Sequence, residues 1–266
     1  MRPFTSRSPI ILVMLMVLFL SSCSSLSRKI EHQNRVKLGK LTYVQIQASD
    51  LPWTVQGTSV EGREIYQLEL GKGDSTILIF GGIHGSEISG VQLALGFTQY
   101  LYEEKQDELN CRVLLIPVLN PDGLVVAQRR NANGVDVNRN FPTDNWTTKH
   151  RSAGNFPGDS PASEPETLLL MNLLEELKPD RIVSIHAPLR VVNYDGPAQA
   201  LAQAMAEQNK YPVSSDIGYP TPGSFGTYAG VERQIPIVTL ELPRGEFTEE
   251  VWLANRNALL AAVTLD

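Results

Sequence analysis

Apolar and polar positions follow two rhythms along this 266-residue chain, and the changes of rhythm locate its elements. Residues 64–70 (Glu-Ile-Tyr-Gln-Leu-Glu-Leu) alternate with period two, which predicts a half-exposed antiparallel strand. Residues 41–47 alternate less cleanly and predict an edge strand. Residues 76–80 are continuously apolar after Thr76, as a fully buried strand requires, and similar runs predict strands at 112–118, 181–186 and 235–240. Helical spacing predicts helices over 86–104, 163–178, 197–209 and 249–263, with Ser163-x-x-Glu166 in the form of a capping box. Apolar strands alternating with helices predict a single α/β domain, a mixed and mostly parallel twisted sheet with helices on both faces. The segment from Asn120-Pro121-Asp122-Gly123 to about residue 161 is long and irregular, and a loop of that length in a compact domain is usually functional.

The N-terminus follows another pattern. Arg2 and Arg7 precede an apolar run over residues 10–20, which is followed by Ser21-Ser22-Cys23. A basic start, a short apolar core and small residues describe a secretory signal, and the run is shorter than the roughly 20 residues of a membrane span. The motif Leu20-Ser21-Ser22-Cys23 resembles the lipobox of bacterial lipoproteins. That resemblance implies cleavage before Cys23, a lipid on Cys23, and attachment to a bacterial membrane facing the periplasm. Ser24, in place of the aspartate that retains such proteins at the inner membrane, favours the outer one. The expected organisation is a signal peptide over 1–22, a polar lipidated tether over 23–40 and a catalytic domain over 41–266.

Composition narrows the partners. A net charge of −6 with no basic stretch argues against nucleic acid. Hydrophobic residues make up 42% of the chain, enough for a sizeable core. Two cysteines, Cys23 and Cys111, make no disulfide framework, and Cys111 opens an apolar run where a buried free thiol is expected.

Four side chains share one kind of position, the C-terminal end of an apolar strand. His84 and Glu87 follow the run ending at Phe80, His186 ends the run over 181–185, and Glu241 ends the run over 235–240. A buried histidine and a helix-terminal glutamate would explain His84 and Glu87 taken alone. In an α/β sheet, however, all four ends converge on one crevice. Two histidines and a glutamate supply three ligands of a catalytic zinc site with one position left for water, and Glu241 is then the candidate general base. The loop over 129–142 crowds arginines and polar side chains around Gly134, and an arginine fork suits a carboxylate or a developing oxyanion.

His84-x-x-Glu87, Asn120-Pro-Asp-Gly123, Gly134-Val-Asp-Val-Asn138-Arg139-Asn-Phe, His186 and Glu241, in that order, resemble the zinc metallocarboxypeptidases of the carboxypeptidase A type. The resemblance spans residue 41 to the C-terminus. It implies one Zn2+ held by His84, Glu87 and His186, with Glu241 as the catalytic carboxylate. It also implies Arg129 at the carbonyl and oxyanion, and Asn138 and Arg139 on the substrate's terminal carboxylate. Arg130 competes for the Arg129 role, with the spacing to Asn131 favouring Arg129. A mobile substrate-facing tyrosine is implied as well, with Tyr219 the nearer match and Tyr228 the alternative. His150 has no place in this scheme and is expected to be a loop histidine. The runs over 129–142 and 216–226 are similar to the bacterial murein peptide amidase A subgroup. That implies hydrolysis of the γ-D-glutamyl-meso-diaminopimelate bond in peptidoglycan-derived peptides. A general carboxypeptidase on ordinary peptides, and a non-catalytic lipoprotein that binds wall peptides, are the alternatives.

Overall fold

The computed structural model describes the backbone of residues 9–265 and the side chains of residues 27–265. The signal segment over 1–22 and the lipobox cysteine Cys23 therefore lie outside the residues whose side chains are described. The chain runs through α1 (Pro9–Ala48), β1 (Thr54–Thr58), β2 (Glu64–Leu70), β3 (Thr76–Gly81) and α2 (Ile88–Tyr100). It continues through β4 (Arg112–Ile116), α3 (Pro121–Val125), α4 (Pro165–Leu177), β5 (Arg181–His186) and β6 (Leu189–Asp195). It ends with α5 (Gln199–Asn209), β7 (Val213–Ser214), β8 (Ile237–Pro243) and α6 (Glu249–Thr264).

The strands form one 8-stranded mixed sheet in the order β1-β2-β4-β3-β5-β8-β6-β7. Its centre, β4-β3-β5-β8, is parallel; β1 and β2 add an antiparallel edge, and β6 joins β8 antiparallel on the other side. Alternate strand residues feed two cores. Ile77, Ile79, Val183 and Leu240 pack with Phe97 of α2, Met205 of α5 and Leu259 of α6. Leu78, Phe80, Leu114 and Ile182 pack on the other face with Leu170 and Leu174 of α4 and with Phe141, Phe225 and Tyr228. Both faces are thus covered, which is why the central strands read as unbroken apolar runs. Cys111 is a buried free thiol, its Sγ 3.5 Å from the Val263 carbonyl oxygen.

Several expectations are corrected. Residues 41–47 are not an edge strand but the last turns of α1, because Gly39, Tyr43 and Ile46 are buried at helical spacing. The backbone of residues 23–40 belongs to α1 as well, and α1 docks on the domain from Val36 onward against Val91, Leu95, Val118 and Leu124. The capping box does not form. α4 begins at Pro165 with Glu164 as N-cap, while Glu166 accepts instead from Asn131 Nδ2 at 3.0 Å. The edge strands β1 and β7, and β6 between β8 and β7, have no counterpart in the apolar pattern, since their polar residues break its rhythm. Among the described residues no helix is long and apolar enough to cross a membrane.

Candidate metal centre and active site

β3 ends against the chain that follows β4. Leu119 N donates to the Gly81 carbonyl (3.1 Å) and Asn120 N to the Gly82 carbonyl (2.9 Å). Gly82 has φ +64°, a left-handed conformation that glycine adopts without strain, and it turns the chain from the strand toward His84. A Cβ on Gly85 would lie 2.0 Å from the Gly123 carbonyl carbon, so α3 presses directly on this turn. α2 starts only at Ile88, with Glu87 as its N-cap residue. His84 and Glu87 therefore stand together in the crevice above the sheet.

There the Glu87 carboxylate faces two imidazoles. Its Oε1 is 2.9 Å from His84 Nδ1 and its Oε2 is 3.0 Å from His186 Nδ1, and one ligand atom from each residue lies within 4.8 Å of the others. Ala187 N also donates to Glu87 Oε2 at 3.1 Å. The opposite nitrogen of His84, Nε2, is 3.0 Å from Asp136 Oδ1, and a proton on Nε2 directed at that carboxylate leaves the Nδ1 lone pair facing Glu87. A lone pair and a carboxylate at that distance repel unless a cation lies with them, so the donor set fits a divalent metal ion of the zinc type. Electrostatics agree. Burial alone would push the Glu87 carboxyl up, but His84 and His186 hold it well below the usual carboxylate range. Burial likewise opposes the ionised form of Asp136, and His84, then Arg129 and Arg139, hold it low. For His84, burial and Arg129 act downward, yet Glu87 and Asp136 outweigh them and raise its pKa. The carboxylates that favour a proton on His84 favour a metal cation in its place.

Glu241 pairs in register with His186 across β5 and β8 and is buried, with Oε2 accepting from Leu189 N at 3.3 Å. Burial pushes its carboxyl up, His186 lowers it, and the negative charge of Glu87 raises it again. Arg129 donates from Nε to Asp136 Oδ2 at 2.9 Å and from Nη1 to Glu87 Oε1 at 3.4 Å, and it lines the cavity that contains the two histidines and Glu241. Arg130 turns away and donates to the Gly134 carbonyl. Asn138 and Arg139 line the same cavity. Phe225 N donates to Asn138 Oδ1 at 2.9 Å, which orients that amide, and Arg139 has no carboxylate partner within ion-pair distance among the described residues. Burial and the nearby Arg129 lower the Arg139 pKa. Tyr219 is partly exposed at the cavity wall with the Arg151 guanidinium 5.0 Å from its ring centroid. Tyr228 is buried in the core against Phe141. His150 sits exposed in its loop.

A second cavity of about 490 Å3 continues from the first and shares Arg129, Arg139 and Tyr219 with it. Lys149 and Arg151 add two further cations, and among the described residues no acidic side chain lines this lobe.

Three supporting residues carry no role in the sequence reading. Asp136 joins His84 to Arg129. Asn120 caps α3 through Gly123 N and reaches the carbonyls of Ile83 and Arg129. Asn131 donates to both Glu164 (2.6 Å) and Glu166 (3.0 Å), fastening the arginine loop to the start of α4. Their signal was polar side chains beside apolar ones that fold inward, visible only once burial is known.

Fold and site together define a hydrolase of the metallopeptidase class. Residues 41–255 match the Peptidase M14 zinc carboxypeptidase family, and the chain belongs to it. Murein peptide amidase A of Vibrio campbellii is 39% identical over 178 residues, covering 62% of this chain and 68% of that protein. Murein peptide amidase A of Escherichia coli K12 is 33% identical over 196 residues, covering 68% of this chain and 78% of that protein. The crystal structure of the murein-tripeptide amidase MpaA from Escherichia coli O157 superposes with a TM-score of 0.68 at 28% identity, covering 80% of this chain and 94% of that one.

Proposed function

We propose that this protein is a zinc-dependent amidase that removes the carboxyl-terminal diaminopimelate from peptidoglycan-derived peptides by cutting the γ-D-glutamyl-meso-diaminopimelate bond. The observation that carries the reading is the convergence of His84, Glu87 and His186 beside Glu241, with Asn138 and Arg139 on the wall of the same cavity. The murein peptide amidases among its relatives support the choice of substrate. His84, Glu87 and His186 would hold the ion, which supplies Lewis-acid polarisation and a more acidic water.

The chain's own groups do the rest. Arg139 and the Asn138 amide bind the terminal carboxylate, with the guanidinium free of any competing ion pair among the described residues. Arg129, held by Asp136, presents its remaining N–H groups to the oxygen that gains charge as the amide carbonyl is attacked. Glu241 takes a proton from the attacking water and returns it to the departing amino group, so that water and amide yield a carboxyl group and an amine. Burial, the largest influence on its carboxyl, favours the protonated form that the return of the proton requires. Tyr219 closes over the bound peptide from the cavity wall. Lys149 and Arg151 in the adjoining lobe suit an anionic peptide, and a γ-linked glutamate leaves its α-carboxylate free to meet them.

The test is mass spectrometry of L-Ala-γ-D-Glu-meso-diaminopimelate after incubation with zinc-loaded wild type and Glu241→Gln, with zinc content measured in both. Release of diaminopimelate by wild type and a fall of about 10²–10⁴-fold in the variant with zinc retained is the expected result. Release only from α-linked peptides would identify a general carboxypeptidase. Binding of zinc and peptide without turnover would identify a wall-peptide binder. We further propose that Cys23 carries a lipid that anchors the protein to a bacterial membrane, the outer one favoured, facing the periplasm. Cys23→Ser should then move the protein from the membrane fraction to the soluble periplasmic fraction.

A further inference from the structure

The turn that carries His84 and Glu87 is backed by two layers of main chain. Glu87 N donates to the His84 carbonyl at 3.0 Å, so the two residues belong to one closed turn with Gly85 and Ser86 between them. A Cβ on Gly85 would lie 2.1 Å from Leu124 N, and one on Gly39 would lie 2.2 Å from the Leu124 carbonyl oxygen. Leu124 of α3 thus touches the turn with its nitrogen and α1 with its oxygen. At both contacts main chain meets main chain, with no flexible side chain to absorb a displacement. α1 also reaches past α3. Arg35 Nη2 donates to the Ser86 carbonyl, and Tyr43 and Ile46 share an apolar cluster with Ile88 and Val91 of α2.

The chemistry proposed above makes no use of α1, and among the described residues none from it lines either cavity. Residues 35–40 also precede residue 41, where the zinc carboxypeptidase match begins. Their contacts nevertheless converge on the ligand turn. Gly39 bears through Leu124 on Gly85, Arg35 holds Ser86, and the cluster of Tyr43 and Ile46 seats Ile88, next to Glu87. A metal site tolerates an error of only about 0.5 Å in the placement of its ligands. A Cβ at position 39 would force the Leu124 contact open by about 1 Å, which exceeds that tolerance.

We propose that Arg35 and Gly39 are positioning residues for the metal ion: α1, docked on α3, holds the Gly85–Ser86 segment where His84 and Glu87 can share one cation. This rests on the reading of His84, Glu87 and His186 as the ligands. The sign of the effect separates geometry from charge. The Arg35 side chain is exposed, and its charge, screened by solvent, acts weakly against a cation nearby. Its hydrogen bond acts for one by fixing the Ser86 carbonyl. Removing Arg35 therefore weakens metal binding if geometry dominates and tightens it if charge dominates.

The experiment uses full-length protein stripped with a chelator and reloaded with Zn2+ or Co2+, without peptide. Arg35→Ala is expected to weaken Zn2+ binding about three- to tenfold in competition with a chromophoric chelator, less than the loss of a direct partner of a ligand would. Its melting temperature without metal should stay within about 2 °C of wild type, because the side chain is exposed. Co2+ in Arg35→Ala should show a shifted visible absorption band, a signature of altered ligand geometry that a change in global stability does not produce. Arg35→Lys, which keeps a donor for the carbonyl, should recover most of both effects. Gly39→Ala should move the same two readouts further, and should it fail to fold, the two Arg35 variants decide alone. Lys37→Ala, on the exposed side of the same helix, should match wild type throughout. An unchanged zinc affinity and Co2+ spectrum in Arg35→Ala, or tighter zinc binding, would overturn the proposal and leave the three ligands standing. Wild type that binds no metal, or binds it undiminished after His84→Ala, would overturn both.

Discussion

Asp136 sits between the two halves of the site. One oxygen accepts from His84 and the other from Arg129, while Asn138 N donates back to the first at 3.1 Å. Removing its charge would therefore loosen both the proposed metal ligand His84 and the proposed oxyanion arginine Arg129 in one step. Asp136→Asn is expected to weaken zinc binding about 10–100-fold, measured by chelator competition, and to lower kcat/KM by more than the lost zinc explains. His84, His186 and Glu241, which the fold brings to one cavity, were legible because each follows or ends an apolar run, where a polar residue stands out. Asp136 sits between Val135 and Val137, but in an irregular loop dense in asparagine and arginine where no strand or helix rhythm singles it out.

At the scale of elements, the arginine loop depends on α4. Glu164 accepts from Asn131 and Asn133, Glu166 accepts from Asn131, and Asn140 Nδ2 donates to the Pro157 carbonyl and to Ser163 Oγ. The sequence pattern Ser163-x-x-Glu166 suggested a helix cap, and the helix is there, but its glutamates serve the loop instead. A cap and a loop brace use the same residue types, and only the fold distinguishes them. Burial pushes the Glu166 carboxyl up to about 7, against the hydrogen bond from Asn131. Its ordinary value in the unfolded chain is 4.5. Between these values the folded state holds the proton that the unfolded state has released, so this group's contribution to stability falls as pH rises from about 4.5 and levels off above about 7. Glu166→Gln keeps an acceptor for Asn131 and removes the titration. The variant should gain on wild type by up to about 3 kcal/mol between pH 5 and pH 8 in denaturant melts.

The molecule as a whole is the sheet core with α1 laid along one side. The central parallel strands and the helices over them were readable because each buries a continuous apolar stretch. α1 was misread because only every third or fourth residue of its polar sequence touches the domain. Those contacts matter. Tyr43 donates from its hydroxyl to the Glu64 carbonyl at 2.9 Å, Ile46 is 1% exposed, and Arg35 Nη2 donates to the Ser86 carbonyl next to Glu87. Ile46→Ala should cost about 2–5 kcal/mol in thermal or chemical denaturation, whereas a chain starting at residue 27 should melt with wild type. Residues 27–35 are exposed throughout and continue the helix about 13 Å beyond its docking point. A stiff post of this kind differs from a leash in one respect: it sets bearing as well as height. With an anchor at Cys23, each residue inserted between 27 and 35 would raise the catalytic cleft by about 1.5 Å and swing it about 100° around the helix axis. Access to a flat, fixed substrate would then vary with inserted length as a rotation, returning after about seven residues, rather than declining steadily.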